Sequence, residues 1–216
     1  MNMVLEALLV FIVLTNLLML GSSRLGVYIR AGAMQGVGLS FLFFTGEAGW
    51  PHSHIVLLAL VTMVVKGLVF PSLLFRTIRQ AGVRREMEPY VGFTASLLAG
   101  VAAWGFALWV GGRLPLPGVI RSDLLVPTAM FTIFTGLFLI VARRNAITQV
   151  LGYLVIENGV FTFGVAVEAA TPFLVEMGIL LDIFVGVFVM VITLFQINRE
   201  IEEIHMDTSK LAALKD

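Results

Sequence analysis

Residues 54–75 read HIVLLALVTMVVKGLVFPSLLF, and in this run only Lys66 carries a fixed charge. An α-helix needs about 20 mainly apolar residues to cross a hydrocarbon core at 1.5 Å per residue, and this stretch supplies them. Backbone groups in lipid must find partners within their own segment, so the run reads as a helix. Nothing in it alternates with the period of two that a lipid-facing barrel strand would show. Six more runs of the same kind occupy residues 4–21, 27–45, 91–110, 123–142, 146–168 and 173–197. The sequence therefore predicts an all-α integral membrane protein with seven transmembrane helices.

Composition agrees. Of 216 residues, 59% are hydrophobic and 13% charged, and the mean hydropathy of +0.99 lies outside the range of soluble domains. The net charge is zero, which gives no basic or acidic excess to hold nucleic acid. Cysteine is absent, so a disulfide, a thiolate metal site and an iron–sulfur cluster are all excluded from this chain. The first run lacks the basic start and small-residue cleavage site of a signal peptide, and it carries Glu6 at the membrane edge; it is expected to be a retained transmembrane helix. The polar stretches 77–89 and 198–216 are too short for a soluble domain.

Orientation follows from the cations. With the N-terminus outside, Arg24, Arg30, Arg76, Arg79, Arg84, Arg85, Arg143, Arg144, Arg199, Lys210 and Lys215 fall on the cytoplasmic side, and only Arg113 and Arg121 fall outside. That imbalance predicts an outer N-terminus and a cytoplasmic C-terminus for the multi-pass chain. The chain divides into an N-terminal three-helix unit (1–90), a linking helix with an outer loop (91–122), a C-terminal three-helix unit (123–197) and a cytoplasmic tail (198–216). The second and sixth helices each begin beside arginine and carry a polar residue near the middle, Gln35 and Glu157, while the third and seventh carry Lys66 and Asp182. That pattern suggests a parallel 3+1+3 repeat.

These intramembrane polar residues are the candidate site. A charge at the centre of a bilayer costs about 2.5–3.5 kcal/mol on insertion scales, so it is rarely kept without a partner or a task. Lys66 lies about 18 Å from the start of its run, too far to snorkel comfortably. Glu157 and Asp182 lie at similar depth on a helical hairpin, where two carboxylates would repel unless Lys66 or a cation of another subunit intervenes. All three are candidates for proton transfer, with Gln35 and Asn158 as supporting relay partners. Nothing marks a catalytic residue or a metal site, since His52 and His54 beside Trp50 have only Glu47 near them and read as interfacial residues. The glycines Gly152, Gly159, Gly164, Gly178 and Gly186 are expected to let helices approach closely.

The stretch ARRNAITQVLGYLVIENGVFTFG, with LLDIFVGVFVMVITLFQINREI after it, resembles the small three-helix subunit K of respiratory complex I and its antiporter relatives. Over its whole length the chain is similar to component E of hydrogenase-4, through LGYLVIENG and the ending LAALK. The resemblance implies a membrane-arm subunit in a prokaryotic inner membrane, beside antiporter-like and subunit-H-like proteins. It also implies a peripheral hydrogenase arm whose nickel–iron centre and iron–sulfur clusters drive proton or sodium translocation, with no cofactor on this chain. One column departs from the pattern. Where subunit K has its first intramembrane glutamate stands Leu154, and the carboxylate comes three residues later, on roughly the same helix face, as Glu157.

Three functions fit these residues: a proton-relay subunit, an assembly subunit whose buried charges specify helix pairing, and a free-standing secondary transporter. The last is disfavoured because Pro71 and Pro127 do not interrupt matching helices of the two halves.

Overall fold

The computed structural model describes residues 2–42, 53–81, 89–114 and 122–167, and every regular element among them is helical. The helices are α1 (Asn2–Gly21), α2 (Leu25–Leu42), α3 (Ser53–Val64), α4 (Phe70–Ala81), α5 (Phe93–Gly111), α6 (Leu125–Ala142) and α7 (Ala146–Val167). A π-helical turn, Val65–Val69, joins α3 to α4 without a break. Five stretches are long and apolar enough to cross a membrane: Met3–Gly21, Ala59–Arg79, Phe93–Gly111, Leu125–Ala142 and Ile147–Ala166. Six of the expected spans thus coincide with described helices, although α2, with Arg30 and a run of small residues, falls outside those five. The seventh, 173–197, lies outside the described residues and takes Asp182, Gly178 and Gly186 with it.

Local chemistry sets the turns. Between α1 and α2 the Ser22 hydroxyl accepts the Arg24 N–H at 3.2 Å, and the Tyr28 hydroxyl donates to the Ser22 carbonyl at 2.8 Å. At the α6–α7 junction Arg143 takes an extended conformation, and the Asn145 side chain then accepts the Ile147 N–H at 2.9 Å, an N-cap for α7. Pro71 accounts for the π turn. It lacks an N–H, and its ring would press on the carbonyl four residues back, so widening the helix ahead of it relieves the crowding.

Helices α1, α2, α6 and α7 form the centre, with α5 packed on α1 and α6, and α3–α4 packed on α2. Between α6 and α7 the approach is backbone to backbone. A methyl placed on Gly136 would stand 2.5 Å from the Gly152 carbonyl oxygen, and one on Gly159 would stand 2.8 Å from the Ile133 nitrogen. The core has two apolar layers. One, with Leu20, Tyr28, Phe131, Leu139 and Leu151, lies toward the arginine-bearing ends of the helices; the other, with Leu9, Ile12, Leu39, Leu42 and Leu125, lies toward the opposite ends. Between them runs a layer of buried polar side chains.

Candidate functional site

The polar layer is built on the π turn. Lys66 sits in it, only 7% exposed, and its ammonium forms an ion pair with the Glu157 carboxylate of α7, which is also buried. The neighbouring Asn158 accepts a hydrogen bond from Lys66 Nζ through Oδ1 at 3.1 Å. Two consecutive residues of α7 therefore hold one ammonium. The lysine reaches them because α2 gives way at Gly36, where a Cβ would lie 2.5 Å from that of Lys66.

From Asn158 a chain of hydrogen bonds crosses the bundle. Asn158 Nδ2 donates to Gln35 Oε1 at 3.4 Å. Gln35 Nε2 donates to Asn16 Oδ1 at 2.7 Å and also lies within reach of Thr15 Oγ1 and the Ile12 carbonyl, at 2.9 and 3.4 Å. Asn16 Nδ2 donates to Thr132 Oγ1 at 2.8 Å, and that hydroxyl donates to the Thr128 carbonyl at 2.7 Å. Every link turns an oxygen toward the ammonium and a donor away from it. Dipoles aligned in this way reinforce one another, so the positive charge on Lys66 is answered by a file reaching from α7 through α2 and α1 to α6.

Energetics explain why the parts occur together. Removing an ion from water costs several kcal/mol after relaxation, and only good geometry with further hydrogen bonds offsets it. Glu157 supplies the counter-charge, and Asn158 with the chain behind it supplies the rest.

Of the residues singled out from the sequence, the structure brings Lys66, Glu157, Asn158 and Gln35 into one cluster, while Asp182 and His52 lie outside the described residues. Glu6 is exposed at the start of α1. Among the described residues no group of three or more histidines, aspartates and glutamates could hold a metal ion. Sequence reasoning missed Asn16, Thr15 and Thr132. Asn16, the lone amide within the first apolar run, carried a signal; the threonines did not, because a helical threonine ordinarily bonds its own backbone. Arg143, read as a loop cation, is fully buried. Its guanidinium donates to the Leu20 carbonyl at 3.0 Å, the Val91 carbonyl at 3.0 Å and the Ser96 hydroxyl at 3.2 Å, and lies over the Phe93 ring.

No family model and no solved structure matches the chain. It is 27% identical to an uncharacterized protein of Mycobacterium tuberculosis over 208 residues, 95% of this chain and 93% of that one. It is 34% identical over 105 residues to hydrogenase-4 component E of Escherichia coli and of Shigella flexneri, a match that covers 48% of this chain and 46% of each relative. The match thus spans about half the length of component E. Together with the apolar helices, it marks a multi-pass helical membrane protein related to a hydrogenase-4 component.

Proposed function

We propose that this chain is a membrane-arm subunit of a hydrogenase-type complex, in which the Lys66–Glu157 pair takes part in moving protons, or sodium ions, in step with redox chemistry on partner subunits. The observation that carries the reading is the buried ion pair itself, seated on a π turn between two apolar layers. π turns concentrate at functional positions, and intramembrane ionisable residues mark ion paths more often than packing. Transfer of a proton from Nζ to Oε1 would convert two charges into two neutral groups without changing the net charge of the site, a step that a charge arriving nearby can bias. In this reading Asp182 is a second carrier, and Gln35 and Asn158 hold the lysine in register. In the 3+1+3 repeat that this reading retains, Gln35 and Asn158 stand on equivalent helices of the two units and hydrogen-bond to each other.

The resemblance to component E supports assignment to a complex, with antiporter-like and subunit-H-like neighbours and a peripheral arm bearing nickel–iron and iron–sulfur centres. An inner-membrane location, outer N-terminus and cytoplasmic C-terminus complete the proposal. A second reading, a non-translocating assembly subunit, is favoured by the amide file, because Asn16, Gln35 and Asn158 specify helix pairing whether or not a proton moves.

Glu157→Gln and Asp182→Asn in the native membrane separate the two readings when assembly, electron transfer and translocation are measured independently. Lost translocation in an assembled complex is the expected result. Unchanged translocation would leave the assembly role.

A further inference from the structure

We propose that the exposed edge of the seam between α2 and α4, flanked by Arg30 and Arg79, binds the phosphate of an anionic phospholipid. The site is separate from the Lys66–Glu157 pair and stands whether or not that pair moves protons.

Arg24, Arg30, Arg76 and Arg79 are exposed at the arginine-bearing ends of α2 and α4. None of their guanidinium groups meets a hydrogen-bond acceptor or a carboxylate among the described residues, whereas Arg143 is buried on three oxygens and Arg144 lies over the Tyr90 ring. Nor does a described carboxylate stand at this end of the bundle. Glu6 and Asp123 lie beside the opposite ends of α1 and α6, and Glu157 is buried in the middle of α7. The four cations are thus left for something outside the described chain.

Two of them share one seam. Gly26 of α2 faces Phe75 of α4, whose Cε1 would lie 3.7 Å from a Cβ added at the glycine. Arg30 follows Gly26 by four residues and Arg79 follows Phe75 by four, so each stands on the seam-side face of its helix; Arg76, about 100° around α4 from Phe75, does not. Arg30 lies about 7.5 Å along α2 from its start at Leu25, close enough for its stem to snorkel to the headgroups as Lys66 cannot. A guanidinium left exposed at that depth calls for an anion reached from the membrane surface. The same edge then turns apolar. Met34, one turn deeper than Arg30, and Leu68, in the π turn ahead of α4, are 52% and 66% exposed. Inorganic phosphate or a water-soluble acidic peptide has no use for that flank. A phospholipid uses both parts, its phosphate taking the bidentate guanidinium fork and its acyl chains lying along Met34 and Leu68.

The test uses the full-length chain in a neutral detergent, supplied with phosphatidylglycerol or with phosphatidylcholine of the same acyl chains, and counts the retained lipid by native mass spectrometry. Phosphatidylglycerol should be retained in preference, and Arg30→Gln and Arg79→Gln should each lower that preference about fivefold. Arg24→Gln, which lies off the seam, should leave it within about twofold, the difference between a built site and diffuse charge. Arg30→Lys keeps the charge without the fork and should fall between the native chain and Arg30→Gln; with Arg79→Gln it carries the test if Arg30→Gln does not fold. Inorganic phosphate should not displace the lipid. Equal retention of the two lipids, a loss in Arg24→Gln as large as in Arg30→Gln, or displacement by inorganic phosphate would overturn the site. A preference unchanged in both Arg30→Gln and Arg79→Gln would overturn it too, in favour of a carboxylate on a partner helix.

Discussion

Gly36 of α2 faces the Cβ of Lys66 so closely that the space between them cannot take a methyl group. The lysine stem crosses α2 at this glycine on its way to Glu157 and Asn158. Gly36→Ala should therefore push the ammonium off its two acceptors, at a cost of about 1–3 kcal/mol from overpacking alone. A lowered midpoint of thermal unfolding in detergent checks this, and Gly32→Ala, where room exists, should leave the midpoint within error.

Single and double neutralisations of the ion pair should behave oppositely for stability. Glu157→Gln strands a buried ammonium and should cost roughly 3–5 kcal/mol, whereas Lys66→Met combined with Glu157→Leu should come close to the native stability, as replaced buried pairs often do. The amount of folded subunit in the membrane reads the difference. If the double variant is no better than the single ones, the two residues are not energetically coupled.

The amide file predicts a graded response. Gln35→Leu removes an acceptor from Asn158 and a donor from Asn16 together, and should cost about 1–3 kcal/mol for the polar groups left unmatched. Asn16→Leu breaks the file one link further out and should cost less. A double-mutant cycle between residues 35 and 158 should give a coupling near the 0.6 kcal/mol average for hydrogen bonds in membrane proteins, with an upper bound of about 1.7 kcal/mol.

Helices α6 and α7 touch through Gly136, Gly152 and Gly159. Gly152→Val would have to part the two backbones, which would carry Glu157 away from Lys66. The amount of folded subunit in the membrane should fall in that variant, and loss of the ion pair's contribution should follow.

Much of the fold was legible because lipid permits so few backbone solutions. Apolar runs near 20 residues located six helices to within a few residues, and the glycines on α7 announced close packing. Lys66, Glu157 and Gln35 were legible as residues too polar for their surroundings. Their pairing was not, since depth along a helix is readable from sequence while the face turned toward a neighbour depends on how the helices pack. The π turn was hidden for a similar reason: Pro71 signals a disturbed helix, but not whether the disturbance becomes a kink or a wider turn. Arg143 misled because edge arginines usually face water, and only the assembled structure shows three oxygens converging on this one.

That arginine also has a consequence for how the protein is made. The carbonyl of Leu20 at the end of α1, and the Val91 carbonyl and Ser96 hydroxyl at the start of α5, are drawn together by a guanidinium that is synthesised only after both of those segments. Until then the emerging helices lack their shared fastening. Helices α1 and α5 can enter the membrane early, but their final docking waits on a residue that follows them in the chain, so a nascent chain stalled before it should remain open to proteolysis at the α1 and α5 ends.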